Sequence, residues 1–101
     1  MNEFFESLGK RWKKAAERRG VKIDEPALDE KVAAEILELA RVAAHTKERR
    51  FAPLASYMAG IAAERLRQAK RSDAEAIAAY IKEVREELER ESPEGESPGS
   101  G

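Results

Sequence analysis

The sequence predicts an all-α fold, an antiparallel four-helix bundle, and three observations carry the prediction. Apolar residues recur at steps of three and four through four separate stretches, the spacing that gathers them on one helical face. Gly20, Pro53 and the Ser72-Asp73 pair punctuate those stretches, each of a type that ends or launches a helix. Net charge alternates in sign along the chain, +4 over residues 1–23, −4 over 24–46, +5 over 47–72 and −6 over 73–101. Consecutive helices of opposite sign complement one another when short connections fold them side by side.

The first helix is expected over about 2–19, with Phe4, Phe5, Leu8, Trp12, Ala15 and Ala16 on its apolar face. Gly9 weakens it. Gly20, following Arg18 and Arg19, is a C′ stop, with Val21 placed for the accompanying apolar contact. A basic amphipathic helix bearing Phe and Trp can lie on an anionic membrane. In a chain of 101 residues the preferred expectation is that these rings pack inside, because so small a core needs its aromatics.

The second helix is expected over about 26–45, opened by Asp24, Glu25 and Pro26, since acids and an early proline suit a positive helix terminus. Its stripe is Leu28, Val32, Ile36, Leu39, Ala40 and Ala43. Pro53 disfavours helical geometry at Ala52, which places a break within 46–52. The third helix, about 53–70, is expected to bury Leu54, Met58, Ile61, Ala62 and Leu66, with Ala59 and Gly60 admitting a close neighbour. A capping box, Ser72 to Glu75, launches the fourth over about 73–91, where Ile77, Ile81, Val84 and Leu88 take the spacing of a bundle seam. One domain over 1–91 follows. Residues 92–101, without an apolar side chain, are expected to form a disordered tail.

Composition excludes several functions. The chain has no cysteine and one histidine, which removes thiol chemistry and the usual zinc sites; no metal and no cofactor is expected. A net charge of −1 argues against a general nucleic-acid binder. A helix-turn-helix reading is disfavoured as well, because the positions taken as exposed early in the third helix, Ala55, Ser56 and Ala59, read base edges poorly. No run spans a bilayer and no apolar leader opens the chain, so a cytoplasmic protein is expected. Sparse Asn and Gln with abundant Glu and Arg fit a heat-adapted or GC-rich source. The alanine-rich apolar set leaves room for a second copy to share a surface, so a homodimer joins an unidentified protein among the expected partners.

One polar constellation stands out. Arg41 and His45 lie four residues apart on one face of the second helix, with Glu38 a turn before, and Glu48, Arg49 and Arg50 follow in the connector. No Ser, Thr, Asp or Asn immediately precedes Pro53, which leaves the third helix without a local side-chain cap. Beside Lys47, Arg49 and Arg50, such a terminus would take a phosphate, nucleotide or carboxylate, with His45 as a switchable donor. The structural alternative is that Glu48 caps the third helix, His45 and the cations cap the second, and Arg41 pairs with Glu38 or Glu48. No nucleophile–base–orienter set, glycine-rich phosphate loop or dinucleotide fingerprint accompanies it, so no catalytic residue is assigned.

The same residues carry a resemblance. Leu37-Glu38-Leu39-Ala40-Arg41, Ala43-Ala44-His45, Glu48-Arg49, Ala52-Pro53-Leu54 and Gly60 with Ala62-Ala63 resemble a family of small bacterial helical domains of unknown function. Its members occur alone or joined to the guanylyltransferase that completes the molybdenum cofactor. Trp12, Ala15, Ala16, Gly20 and Val21 resemble the family's N-terminal helix more loosely. Arg50 and Phe51 stand where the family tends to have proline and alanine, Val42 replaces a usual acid and Glu64 a frequent glycine. The first ten residues and the acidic end of the fourth helix read as additions. The resemblance implies an association with molybdenum cofactor maturation, without an established molecular activity, and Arg41, His45, Glu48 and Arg49 as the carried-over site; with the absence of catalytic groups it leads to the expectation of a non-enzymatic accessory or protein-interaction module.

Overall fold

A computed structural model describes residues 2–91; the expected tail at 92–101 lies outside them. The described residues form four helices and no strand, α1 (Glu3–Arg18), α2 (Glu30–Thr46), α3 (Phe51–Ala69) and α4 (Ala74–Glu91). The all-α class is as the sequence predicts. The chain comprises two compact units, Met1–Glu30 and Lys31–Gly101.

In the first unit, the Asn2 side chain accepts from the Phe5 N–H at 3.1 Å, satisfying one of the donors a helix start leaves open. The other end closes as expected. Gly20 adopts φ 79°, the Val21 N–H reaches back to the Ala16 carbonyl at 3.0 Å and the Gly20 N–H to Glu17 at 2.9 Å, a Schellman closure. Gly9 does more than weaken the helix. It is buried, and a Cβ there would stand 2.3 Å from the Pro26 carbonyl oxygen, so the extended segment 21–29 crosses α1 where only glycine leaves room. Phe4 and Trp12 are exposed, contrary to the expectation that the rings pack inside; Phe4 meets Phe5 edge to face at 5.0 Å.

The second helix begins at Glu30, not Pro26. Pro26 biases Glu25 away from helical geometry, and Val21 and Ile23 favour extended backbone, whereas Asp29, just before Glu30, is a preferred N-cap type. Leu28 therefore falls outside the helix and is exposed.

Within the second unit the core is Leu39, Ala63, Ile77 and Ile81, with Val32, Ile36, Ala55, Ala59, Leu66 and Leu88 packed on it. Val42 and Ala43 are also buried. The third helix reverses expectation. It turns its alanine row inward and leaves Leu54 and Met58 63 % and 69 % exposed, because methyl-sized side chains let helical backbones approach closely. Gly60 faces open space instead of a neighbour, and Val84 is likewise half exposed.

Helix α4 starts one residue later than the capping box predicts. Asp73, not Ser72, caps it by accepting the Ala76 N–H at 2.9 Å, while the Ser72 hydroxyl donates to the Lys70 carbonyl and Glu75 pairs with Lys31 instead of reaching back. The pairs Lys31–Glu75, Glu35–Arg85 and Arg41–Glu89 advance together along α2 and α4, so those helices run parallel. Short connections and the shared surroundings of Phe51 with Leu88, and of Leu66 with Tyr80, make α3 antiparallel to α4.

Candidate functional site

The connector after α2 decides whether an anion can sit at the start of α3. Residues 47–50 form a tight turn: the Lys47 N–H donates to the Ala43 carbonyl at 3.1 Å, Phe51 to Glu48 at 3.0 Å and Ala52 to Arg49 at 3.1 Å. Helix α3 thus starts two residues before Pro53, which occupies the first turn, where a missing N–H costs nothing. As expected, no side chain caps it. The expected open terminus is nevertheless absent, because its first two N–H groups are spent on the connector's own carbonyls and the third position has none to offer.

The predicted site residues separate. Arg41 points toward α4; its Nε and one terminal nitrogen donate to Glu38 at 3.1 Å and that nitrogen also reaches Glu89 at 3.2 Å. These hydrogen bonds, Glu38 first and then Glu89, raise the guanidinium's pKa above its ordinary value. His45 is exposed in the last turn of α2, with no polar partner among the described residues, so it does not cap that helix. Glu48 accepts from Arg50 Nε at 2.7 Å through its carboxylate, while its carbonyl, not its side chain, serves α3. Arg49 is exposed, without an ion-pair partner among the described residues. The structure brings Glu48, Arg49 and Arg50 into one turn and assigns Arg41 to a different face. Ala55, Ser56 and Ala59 are half-buried, not exposed, and the Ser56 hydroxyl donates to the Ala52 carbonyl at 2.9 Å.

Sequence reasoning missed the ladder to which Arg41 belongs. Arg85 on α4 bonds Glu35 at 3.1 Å and Glu89 at 3.1 Å, and Glu89 continues to Arg41 and Glu38. The Arg85 side chain is only 15 % exposed and its Nε, buried, has no partner among the described residues. Its hydrogen bond to Glu35 raises its pKa, outweighing the opposing effect of burial. A basic residue breaking α4's acidic run between Val84 and Glu86 was the available signal. The ladder locks α2 to α4 and offers no open cation to a ligand.

Two apolar hollows flank α3. One of about 260 Å³ lies among Leu39, Ala59, Met58, Tyr80, Val84 and Leu88, and a second, sharing Met58 and Leu88, extends to Phe51 and Leu54. No group of three or more metal-ligating side chains occurs among the described residues, and no described helix is long and apolar enough to cross a membrane.

Over residues 5–96 the chain matches the family model described as Domain of unknown function (DUF6457). That span leaves out only residues 1–4 and 97–101 and takes in all of α4, so the acidic end of α4 and most of the first ten residues are part of the family domain and not additions. No curated protein and no solved structure matches the chain.

Proposed function

Since the chain belongs to this domain family of unknown function, we propose that it is a non-enzymatic accessory module that acts by binding another protein. The observation that carries the reading is large apolar side chains held in water by well-formed helices. Leu37 on α2 and Tyr57 on α3 are 70 % and 73 % exposed. Ala33, Ala40 and Ala44 step by threes and fours around Leu37 on the same helical face, a smooth apolar strip of the kind that marks an interaction surface.

The partner we propose is the guanylyltransferase that completes the molybdenum cofactor, in the cytoplasm; the family resemblance at Leu37–Ala63 supports it. Titration of the purified chain against that enzyme tests the reading. Saturable binding that Leu37→Glu abolishes is expected, and no association with the wild-type chain overturns it.

Binding of a small anion at the connector is the second reading, supported by Arg49, which is exposed and without an ion-pair partner among the described residues. It has to rest on side chains alone, because the α3 terminus is closed. Affinity for phosphate or GTP that Arg49→Ala leaves unchanged removes it.

A further inference from the structure

We propose that α1 is a membrane-surface helix, which lays its aromatic face into the headgroup layer of an anionic bilayer. Phe4, Phe5, Leu8, Trp12, Ala15 and Ala16 share one sector, about a third of the helix circumference. A small domain ordinarily turns such a sector inward. Here Phe4 is 66 % and Trp12 58 % exposed, and the other four are only half-buried. The extended segment 21–29 passes beyond one edge of the sector, over Gly9, and leaves the rings open. Phe and Trp are the side chains that settle where headgroups meet hydrocarbon.

Charge selects lipid as the occupant. Around the helix, Arg11, Arg18 and Lys14 follow Phe4 on one edge of the sector, and Lys13 follows Gly9 on the other. None of the four has an ion-pair partner among the described residues. The acids of α1, Glu3, Glu6 and Glu17, share the opposite side with Lys10, which is paired with Glu25 at 3.5 Å. Arg19 closes the sector just past the helix, bonded to the Ala15 carbonyl at 3.0 Å. Within segment 21–29, Lys22 offsets Asp24, and Asp29 stands at the start of α2. Cations therefore border the rings on both edges while the carboxylates of α1 face away, so that headgroup phosphates meet cations as the rings enter the apolar layer. A protein groove taking this face would need carboxylates along both rims; a bilayer supplies anions on every side. The whole chain carries a net charge of −1, so the attraction acts at contact and not over a distance.

This contact is independent of the partner-binding face, which uses Leu37 on α2. Titrating the full chain with vesicles of equal parts phosphatidylglycerol and phosphatidylcholine is expected to move the emission of Trp12, the only tryptophan, to shorter wavelength. Vesicles of phosphatidylcholine alone should bind at least about tenfold more weakly. Phe4→Ala, at a ring already in water, should keep the helical signal and weaken binding by about tenfold. Arg11→Gln and Arg18→Gln should each weaken it by about fivefold. Glu6→Gln, an equal step in net charge on the opposite side, should leave it within about twofold, because the helix itself stands between that side and the lipid. An unmoved Trp12 emission overturns the proposal, and is the result obtained if a protein groove is the true occupant. Equal affinity for the two kinds of vesicle overturns it as well, as does a Phe4→Ala chain that binds like the wild type.

Discussion

Alanine substitution at the two mid-helix glycines separates a glycine the fold requires from one it does not. Replacing a helix-interior glycine by alanine ordinarily gains about 1 kcal/mol. At Gly60 no atom lies within 4 Å of the added Cβ, so the whole gain should appear, raising the melting temperature by about 4–8 °C for a domain of this size. At Gly9 the added Cβ would stand 2.3 Å from a backbone oxygen of Pro26. No rotamer change relieves that, so the segment 21–29 must retreat, at about 1–3 kcal/mol for overpacking. Set against the same propensity gain, Gly9→Ala should come out neutral to about 2 kcal/mol destabilising, while Gly60→Ala stabilises. Thermal melts followed by far-ultraviolet circular dichroism read both variants, and the fluorescence of Trp12, the only tryptophan and a resident of α1, reads Gly9→Ala where it acts. A Gly9→Ala chain stabilised as much as Gly60→Ala would refute the close approach of Pro26 and with it the account of segment 21–29.

Other outcomes follow from the second unit. Ile77 is fully buried, so Ile77→Ala should cost about 3–5 kcal/mol in urea unfolding; a loss below about 1 kcal/mol would mean the core is not centred there. Glu35→Gln should cost about 1–2 kcal/mol by leaving a largely buried guanidinium with a weaker acceptor, and an unchanged unfolding midpoint would show that the Arg85–Glu35 contact contributes nothing. The raised pKa of Arg85 makes its share of stability fully present below arginine's ordinary value and lost only as pH climbs through the raised one. Unfolding from pH 6 to 8 should therefore show no step from this arginine. If side chains alone hold an anion at the connector, adding phosphate or GTP should displace the His45 imidazole resonances and Arg49→Ala should abolish the displacement; resonances that stay in place remove that reading.

The sequence announces what depends on neighbours along the chain and conceals what depends on neighbours across space. Gly20 reads as a helix stop because its positive φ and the cations before it are local requirements, and the Arg41–Glu38 pair reads from a spacing of three. Ser72 and Asp73 are both good caps; the choice of Asp73 cannot be made from type alone, since it depends on Glu75 finding Lys31 44 positions away. On α3 the periodicity is satisfied twice, by leucine and methionine in one row and alanine in the other. Hydrophobicity favours burying the larger row; the close approach of α3 to α4 favours the smaller. Hence Leu54 and Met58 were expected inside and lie outside. The candidate site followed the same rule: its members were legible on the helix and in the turn, but that Arg41 belongs to α4 and that the α3 N–H groups are used could only come from the folded chain.

An alanine-lined seam also governs how α3 can move. Ridges built of single methyl groups are shallow, and shallow ridges interlock less with facing grooves than leucine or isoleucine do. The ion pairs that clamp α2 to α4 leave α3 out. A shift of α3 along its axis therefore slides over a smooth track while the charged frame beside it stays fixed. The tight turn at 47–50, which hands Pro53 into the first turn of α3, is the point at which such travel would be arrested.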